Sequence, residues 1–133
     1  MSILKVTDIQ SNGTGFNDVV SFKNASGTQN GTLCRAWVNF NGTGTVAIRD
    51  DFNVSSITDN GTGDYTVNFS NALADANYVA TCHGSGGTPT NGTNYNRVLE
   101  GSPNTTSSVR CIAYAPNNTA IVDIVYCSVA IFH

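Results

Sequence analysis

The stretch LCRAWVNFNGTGTVAIR at residues 33–49 decides how the chain is read. Cys34, Ala36, Val38 and Phe40 occupy every second position, with Arg35, Trp37 and Asn39 between them. A period of two puts the first set on one face of a strand and the second set on the other. Asn41-Gly42 follows directly. Both residue types tolerate positive φ, so a hairpin turn is expected there. Val46 and Ile48 resume the alternation on the return strand, and Phe52 and Val54 continue it after an expected bend at Asp50-Asp51.

The same rhythm runs outward from this stretch. Tyr65, Val67 and Phe69 alternate with Thr66, Asn68 and Ser70, and Asn60-Gly61 ahead of them marks a second turn. Tyr78, Ala80 and Cys82 alternate with Val79, Thr81 and His83, and Val109, Cys111 and Ala113 alternate with Arg110, Ile112 and Tyr114. Residues 121–132 are apolar on both faces over much of their length. That pattern fits a central strand, or one held between the core and a neighbouring subunit. No segment has a convincing helical period, and residues 71–77 read as a strand connection. Residues 84–94 and 100–108 read as long loops, which is where a β-scaffold usually carries binding. The expected fold is all-β: an antiparallel β-sandwich, jelly-roll-like, over residues 34–133. Residues 1–33 precede it as an extended segment for oligomerisation or attachment, because their sparse apolar residues cannot bury a core alone. Phe16, Val19 and Phe22 are its candidate interface residues, joined by Trp37 on the outward face of its strand.

Composition narrows the function classes. Charged residues make up 11% of the chain, far below the usual quarter, so Asn, Thr, Ser and Gly must supply the polar surface. The six Lys and Arg are scattered and form no patch to neutralise phosphates, so nucleic acid is not an expected partner. No apolar run is long enough to span a bilayer, and no membrane insertion is expected. The N-terminus lacks the apolar core of a signal peptide, so synthesis in a cytoplasm is expected. On that ground the Asn-X-Ser/Thr triplets are read as turn chemistry and not as glycosylation sites. The four cysteines, at 34, 82, 111 and 127, have wide spacings and no CxxC pair. Buried thiols are the favoured reading in a reducing compartment, with a late disulfide in an extracellular particle left open.

Catalytic and metal chemistry find little support. His83, His133, Asp75 and Asp123 show no zinc-type spacing, and neither a metal nor a cofactor is expected. Asp59 and Asp64 bracket a turn and resemble a glycosidase pair only in kind, as do Asp50 and Asp51. Turn capping explains all four more simply. No nucleophile elbow is present, and the chain is not expected to be an enzyme. Tyr95, with Asn91, Asn94, Asn96 and Arg97 in the first loop, has the composition of an adaptable recognition surface.

Residues 33–49, continuing through FNVSSITDNGTGDYTVNF at 52–69, resemble the C-terminal module of tail fibres and related structural proteins of bacteriophages, especially marine and cyanobacterial ones. DVVSF at 18–22, ASGTQ at 25–29 and SVAIF at 128–132 fit the same pattern. The resemblance implies a homotrimeric virion protein, distal on the tail, that recognises the host surface. Its implied partners are its own copies, other virion tail or fibre proteins, and a host cell-surface glycan or protein. Residues 81–120 carry no matching pattern, and the resemblance places host specificity there. A structural virion component without a ligand is the alternative, and a glycan-degrading enzyme a remote one.

Overall fold

In the computed structural model the alternating runs are strands, and no helix occurs among the described residues, which are 20–24, 27–31, 33–86, 97–100, 104–115 and 120–133. The chain divides into two units, Met1–Thr32 and Leu33–His133. In the first, β1 (Val20–Asn24) and β2 (Gly27–Gly31) pair antiparallel. The second contains β3 (Cys34–Asn41), β4 (Ala47–Phe52), β5 (Val54–Gly61), β6 (Asp64–Phe69), β7 (Val79–Ser85), β8 (Arg97–Glu100), β9 (Ser108–Tyr114) and β10 (Tyr126–Phe132). They form two four-stranded antiparallel sheets, ordered β4-β3-β10-β7 and β5-β6-β9-β8. The apolar stretch expected to be central does lie inside its sheet, as β10 between β3 and β7.

Both sheets contribute to one core, an arrangement consistent with a β-sandwich. Ala36, Val38 and Phe40 of β3 and Cys127, Val129 and Ile131 of β10 are buried from one side. Tyr65, Val67 and Phe69 of β6 and Val109, Cys111 and Ala113 of β9 are buried from the other. The alternation of residues 34–40 therefore translates directly into an inward and an outward face. Each fully buried Val, Ile or Phe contributes roughly 1.5–3 kcal/mol.

Tyr65 is the more deeply buried of two core tyrosines, the other being Tyr78, and its hydroxyl is satisfied. It lies 2.7 Å from the Gly42 carbonyl and 3.1 Å from Asp123 Oδ1. Its ring meets Phe40 edge to face, with centroids 5.2 Å apart. Burial, and then the neighbouring Asp123 carboxylate, push the phenol well above its ordinary pKa. Asp123 Oδ1 also accepts the Gly63 N–H at 2.7 Å, and Gly42 N–H donates to the Ile124 carbonyl at 2.9 Å.

The turns depart from expectation in an instructive way. Asn41-Gly42 was expected to supply positive φ, yet among the glycines near this turn it is Gly44 that has it, at 61°. Gly42 is glycine for space: a Cβ there would meet the Tyr65 hydroxyl at 2.5 Å and the Ile124 carbonyl at 2.9 Å. Asn41 organises the turn with its side chain, donating to the Thr43 carbonyl at 2.7 Å. Similarly, β5 runs through Gly61, and the reversal occurs at Thr62-Gly63, with φ of 125° at Gly61 and 64° at Gly63. The expected bend at Asp50-Asp51 falls instead at Asn53, φ 57°, between β4 and β5. Asn tolerates that conformation, and its side chain holds it. Asn53 Nδ2 donates to the Arg35 and Asn71 carbonyls at 3.1 and 3.2 Å, and its Oδ1 accepts the Asn71 N–H at 2.8 Å.

Removing the Tyr65 hydroxyl strands buried acceptors, which costs about 1–3 kcal/mol. Tyr65→Phe is therefore expected to lower the urea midpoint accordingly without changing the slope. Gly42→Ala, which drives a methyl into the same hydroxyl, is expected to cost at least as much.

Candidate functional site

The two sheets turn chemically different faces to solvent. On the β5-β6-β9-β8 sheet most of the described outward side chains are polar and satisfy one another, with half-buried Ile112 and Tyr114 at one end of β9 as apolar exceptions. Asn68 Nδ2 donates to Thr58 Oγ1 at 2.9 Å and to Ser56 Oγ at 3.1 Å. Asn60 Nδ2 donates to Thr66 Oγ1 at 2.9 Å and to Asp64 Oδ1 at 3.2 Å. Arg110 grips both oxygens of Asp64, with its Nε 2.8 Å from Oδ1 and its second nitrogen on Oδ2.

The outward face of the β4-β3-β10-β7 sheet is graded. One row across it is Phe52, Trp37, Ala130 and Thr81, set by the pairings Trp37↔Phe52, Ala130↔Trp37 and Ala130↔Thr81. Phe132 and Val79 pair in the adjacent row. Phe52 is 53% exposed, Val79 62%, Phe132 40% and Trp37 37%, so this end of the face leaves large apolar side chains in water. The next row on the other side is polar: Asp50, Asn39, Ser128 and His83. There Asn39 Nδ2 donates to Ser128 Oγ at 2.8 Å. Beyond it, Arg49 is the extra residue of a bulge between Asn39 and Phe40 of the neighbouring strand. It stacks over the Tyr126 ring at 4.4 Å and donates to the Val125 carbonyl at 2.7 Å. A cavity of about 430 Å³ lies where the two halves meet, lined by Trp37, Asn39, Thr81, His83, Ser128 and Ala130 among others.

Sequence-predicted residues fall as follows. Trp37 is on the outward face opposite Ala36, Val38 and Phe40, as its alternation required. Phe22 lies on β1, and Arg97 opens β8. Phe16, Val19, Asn91, Asn94, Tyr95 and Asn96 lie outside the described residues. The exposed companions of Trp37 (Phe52, Val79 and Phe132) were not singled out from the sequence. Their alternation was visible, but the strand pairing that gathers them was not.

The acids are occupied locally. Asp59 Oδ1 accepts the Gly61 N–H at 2.9 Å, Asp50 Oδ1 the Asp51 N–H at 3.0 Å, and Asp51 Oδ2 the Val54 N–H at 3.3 Å. Asp64 is held by Arg110. Asp75 caps the Asn77 N–H at 2.6 Å and contacts His133 Nε2 at 3.2 Å; the Asn77 N–H first, and His133 second, hold its carboxyl below the usual range. No group of three His, Cys, Asp or Glu able to hold a metal occurs among the described residues, and no described helix is long and apolar enough to cross a membrane.

Comparison with family models, with curated proteins and with solved structures finds no match to the chain.

The Arg110 guanidinium is the main cause that holds the Asp64 carboxyl below its ordinary pKa, against the opposing effect of burial. A carboxyl depressed in the folded state adds stability above its unfolded pKa of about 3.9 and loses it as pH falls through the folded value. Wild type is therefore expected to exceed Asp64→Asn in urea midpoint at pH 7. The gap should shrink as pH drops below about 4 and disappear once both states are protonated.

Proposed function

We propose that the chain is a bacteriophage tail-fibre or receptor-binding protein that acts as a homotrimer in the virion and attaches the particle to the bacterial surface. The unlike chemistry of the two outer faces supports its assembly. A mostly polar face whose side chains bond to one another gains less from a partner, whereas Phe52, Trp37, Val79 and Phe132 leave an apolar surface in water that association removes. In this reading that face packs between subunits, with the polar row of Asn39, Ser128 and His83 as its rim. Receptor contact falls to residues 91–97, where Tyr95, Arg97 and three Asn suit a glycan or protein of the host surface. The charge-poor composition fits a surface kept inert toward everything but its receptor and its own copies. A purely structural virion component would use the same apolar face and differ only in lacking a receptor.

Light scattering coupled to size exclusion tests the assembly. With 14.0 kDa per chain, a closed trimer is expected at about 42 kDa. The double change Trp37→Ser and Phe52→Ser is expected to release a folded monomer. A monomeric wild type would overturn the trimer. Replacing Tyr95 and Arg97 by Ala is expected to abolish binding to host cells while the mass stays unchanged. Intact cell binding in that variant would remove the receptor assignment and leave the structural reading.

A further inference from the structure

Two of the cysteines face each other across the core from different sheets. Cys82 lies on β7, the edge of the β4-β3-β10-β7 sheet, and Cys111 on β9 of the other. Their sulfurs are 3.4 Å apart. A disulfide bond is about 2.05 Å long, so closure requires a shift of about 1.4 Å. Both side chains are thiols in this structure.

We propose that Cys82 and Cys111 form a modification site, a thiol pair that closes into an inter-sheet disulfide when the chain meets a small oxidising disulfide. Cys82 reacts first, because it is half-buried on an edge strand whereas Cys111 is fully buried. The Cys82 thiolate attacks one sulfur of the small disulfide, forming a mixed disulfide and expelling a small thiolate that takes up the proton Cys82 gave. Cys111, already in contact, then attacks the Cys82 sulfur as its thiolate. The second small thiolate leaves with the proton from Cys111. Two protein thiols become one disulfide, and one small disulfide becomes two small thiols, so electrons and protons balance.

The remaining cysteines do not compete. Cys34 is on β3, separated from β7 by β10. Two strand spacings, roughly 9–10 Å, exceed disulfide reach. Cys127 shares the inward face of β10 but is fully buried. Burial first, and the nearby Cys82 second, push its thiol up to about 12. Cys111 is as fully buried, and what sets it apart is that its sulfur already touches that of Cys82.

The bond has a structural consequence. It spans 29 positions of chain and ties an edge strand to the opposite sheet. Residues 91–97 lie in the sequence it encloses. Closing a loop of that length restricts the unfolded chain, which is expected to raise the melting temperature by on the order of 10 °C.

Reduced full-length protein incubated with glutathione disulfide tests this. Two of its four thiols are expected to disappear, with a mass loss of about 2 Da and a single cross-linked peptide pair joining 82 to 111. The melting temperature should rise and return on addition of a reducing thiol. Cys127→Ser is expected to close the same bond, and Cys111→Ser to accumulate glutathione on Cys82. A cross-link from Cys82 to Cys127, persistence of all four thiols, or a mixed disulfide that never resolves in wild type would each overturn the proposal. The wild-type peptide map decides the matter even if serine at the buried position 111 prevents folding.

Discussion

The hydroxyl of Tyr65 is a polar group inside an apolar core, and the geometry around it follows from the need to satisfy it. A buried hydroxyl without acceptors would cost more than the ring gains from one additional contact. The acceptors come from two separate places, the Gly42 carbonyl after β3 and the Asp123 carboxylate ahead of β10. The same Asp123 oxygen takes the N–H of Gly63 at the β5–β6 turn, and Ile124 accepts from Gly42. Residues 122–124 thereby become a seat for one hairpin from each sheet. Close approach is part of the arrangement: a Cβ on Gly63 would come within 2.5 Å of the Val122 carbonyl. Two glycines from the repeated Asn-Gly-Thr-Gly sequence are thus committed to packing, a use that turn statistics do not anticipate.

Once the inner faces are fixed by that junction, the period of two fixes the outer ones. The β6 and β9 residues that alternate with the core are Asp64, Thr66, Asn68, Ser108, Arg110, Ile112 and Tyr114, and the polar ones mostly hydrogen-bond to strand neighbours. On the other sheet one end of the outward face carries Trp37, Ala130, Phe132 and Val79, and the other end carries Asn39, Ser128 and His83. Apolar area removed from water is worth about 25 cal/mol per Å². A neutral polar lattice whose groups already have partners offers no comparable gain. The two faces are therefore unequal as association surfaces, whatever the partner.

Much of this was legible in the sequence, and what was not has a physical cause. Alternation separated Ala36, Val38 and Phe40 from Trp37, because side-chain direction in a strand is local. The central position of residues 126–132 was readable from their two-faced apolar character. Turn placement was missed by one or two residues at Asn41-Gly42, Asn60-Gly61 and Asp50-Asp51. Which residue takes positive φ depends on the register of the paired strands, and that is set at a distance. The bulge at Arg49 and the meeting of Phe52 with Trp37 were hidden for the same reason. So was the Cys82–Cys111 contact: it depends on how two sheets face each other, which spacing along the chain does not encode.

The few charges are distributed in a way that bears on how the protein associates. Arg49, Asp50 and Asp51 lie on β4 and Asp59 on β5, both edge strands, and Arg97 and Glu100 lie on β8, a third edge. The interior strands β3, β6 and β9 carry only Arg35, Asp64 and Arg110, and β10 carries none. An open edge presents unpaired backbone groups to any passing strand, and charge with a bulge is how such edges are protected. In a chain that is only 11% charged, this placement discourages edge-to-edge extension at three of the four edges, while the fourth, β7, carries no Asp, Glu, Lys or Arg. The exposed Trp37, Phe52, Val79 and Phe132 are left unguarded by comparison. Edge pairing adds strands without limit, whereas face packing between copies can close on itself. Charge thus opposes the open-ended mode of association at β4, β5 and β8, and none of it opposes packing through the apolar end of the β4-β3-β10-β7 face.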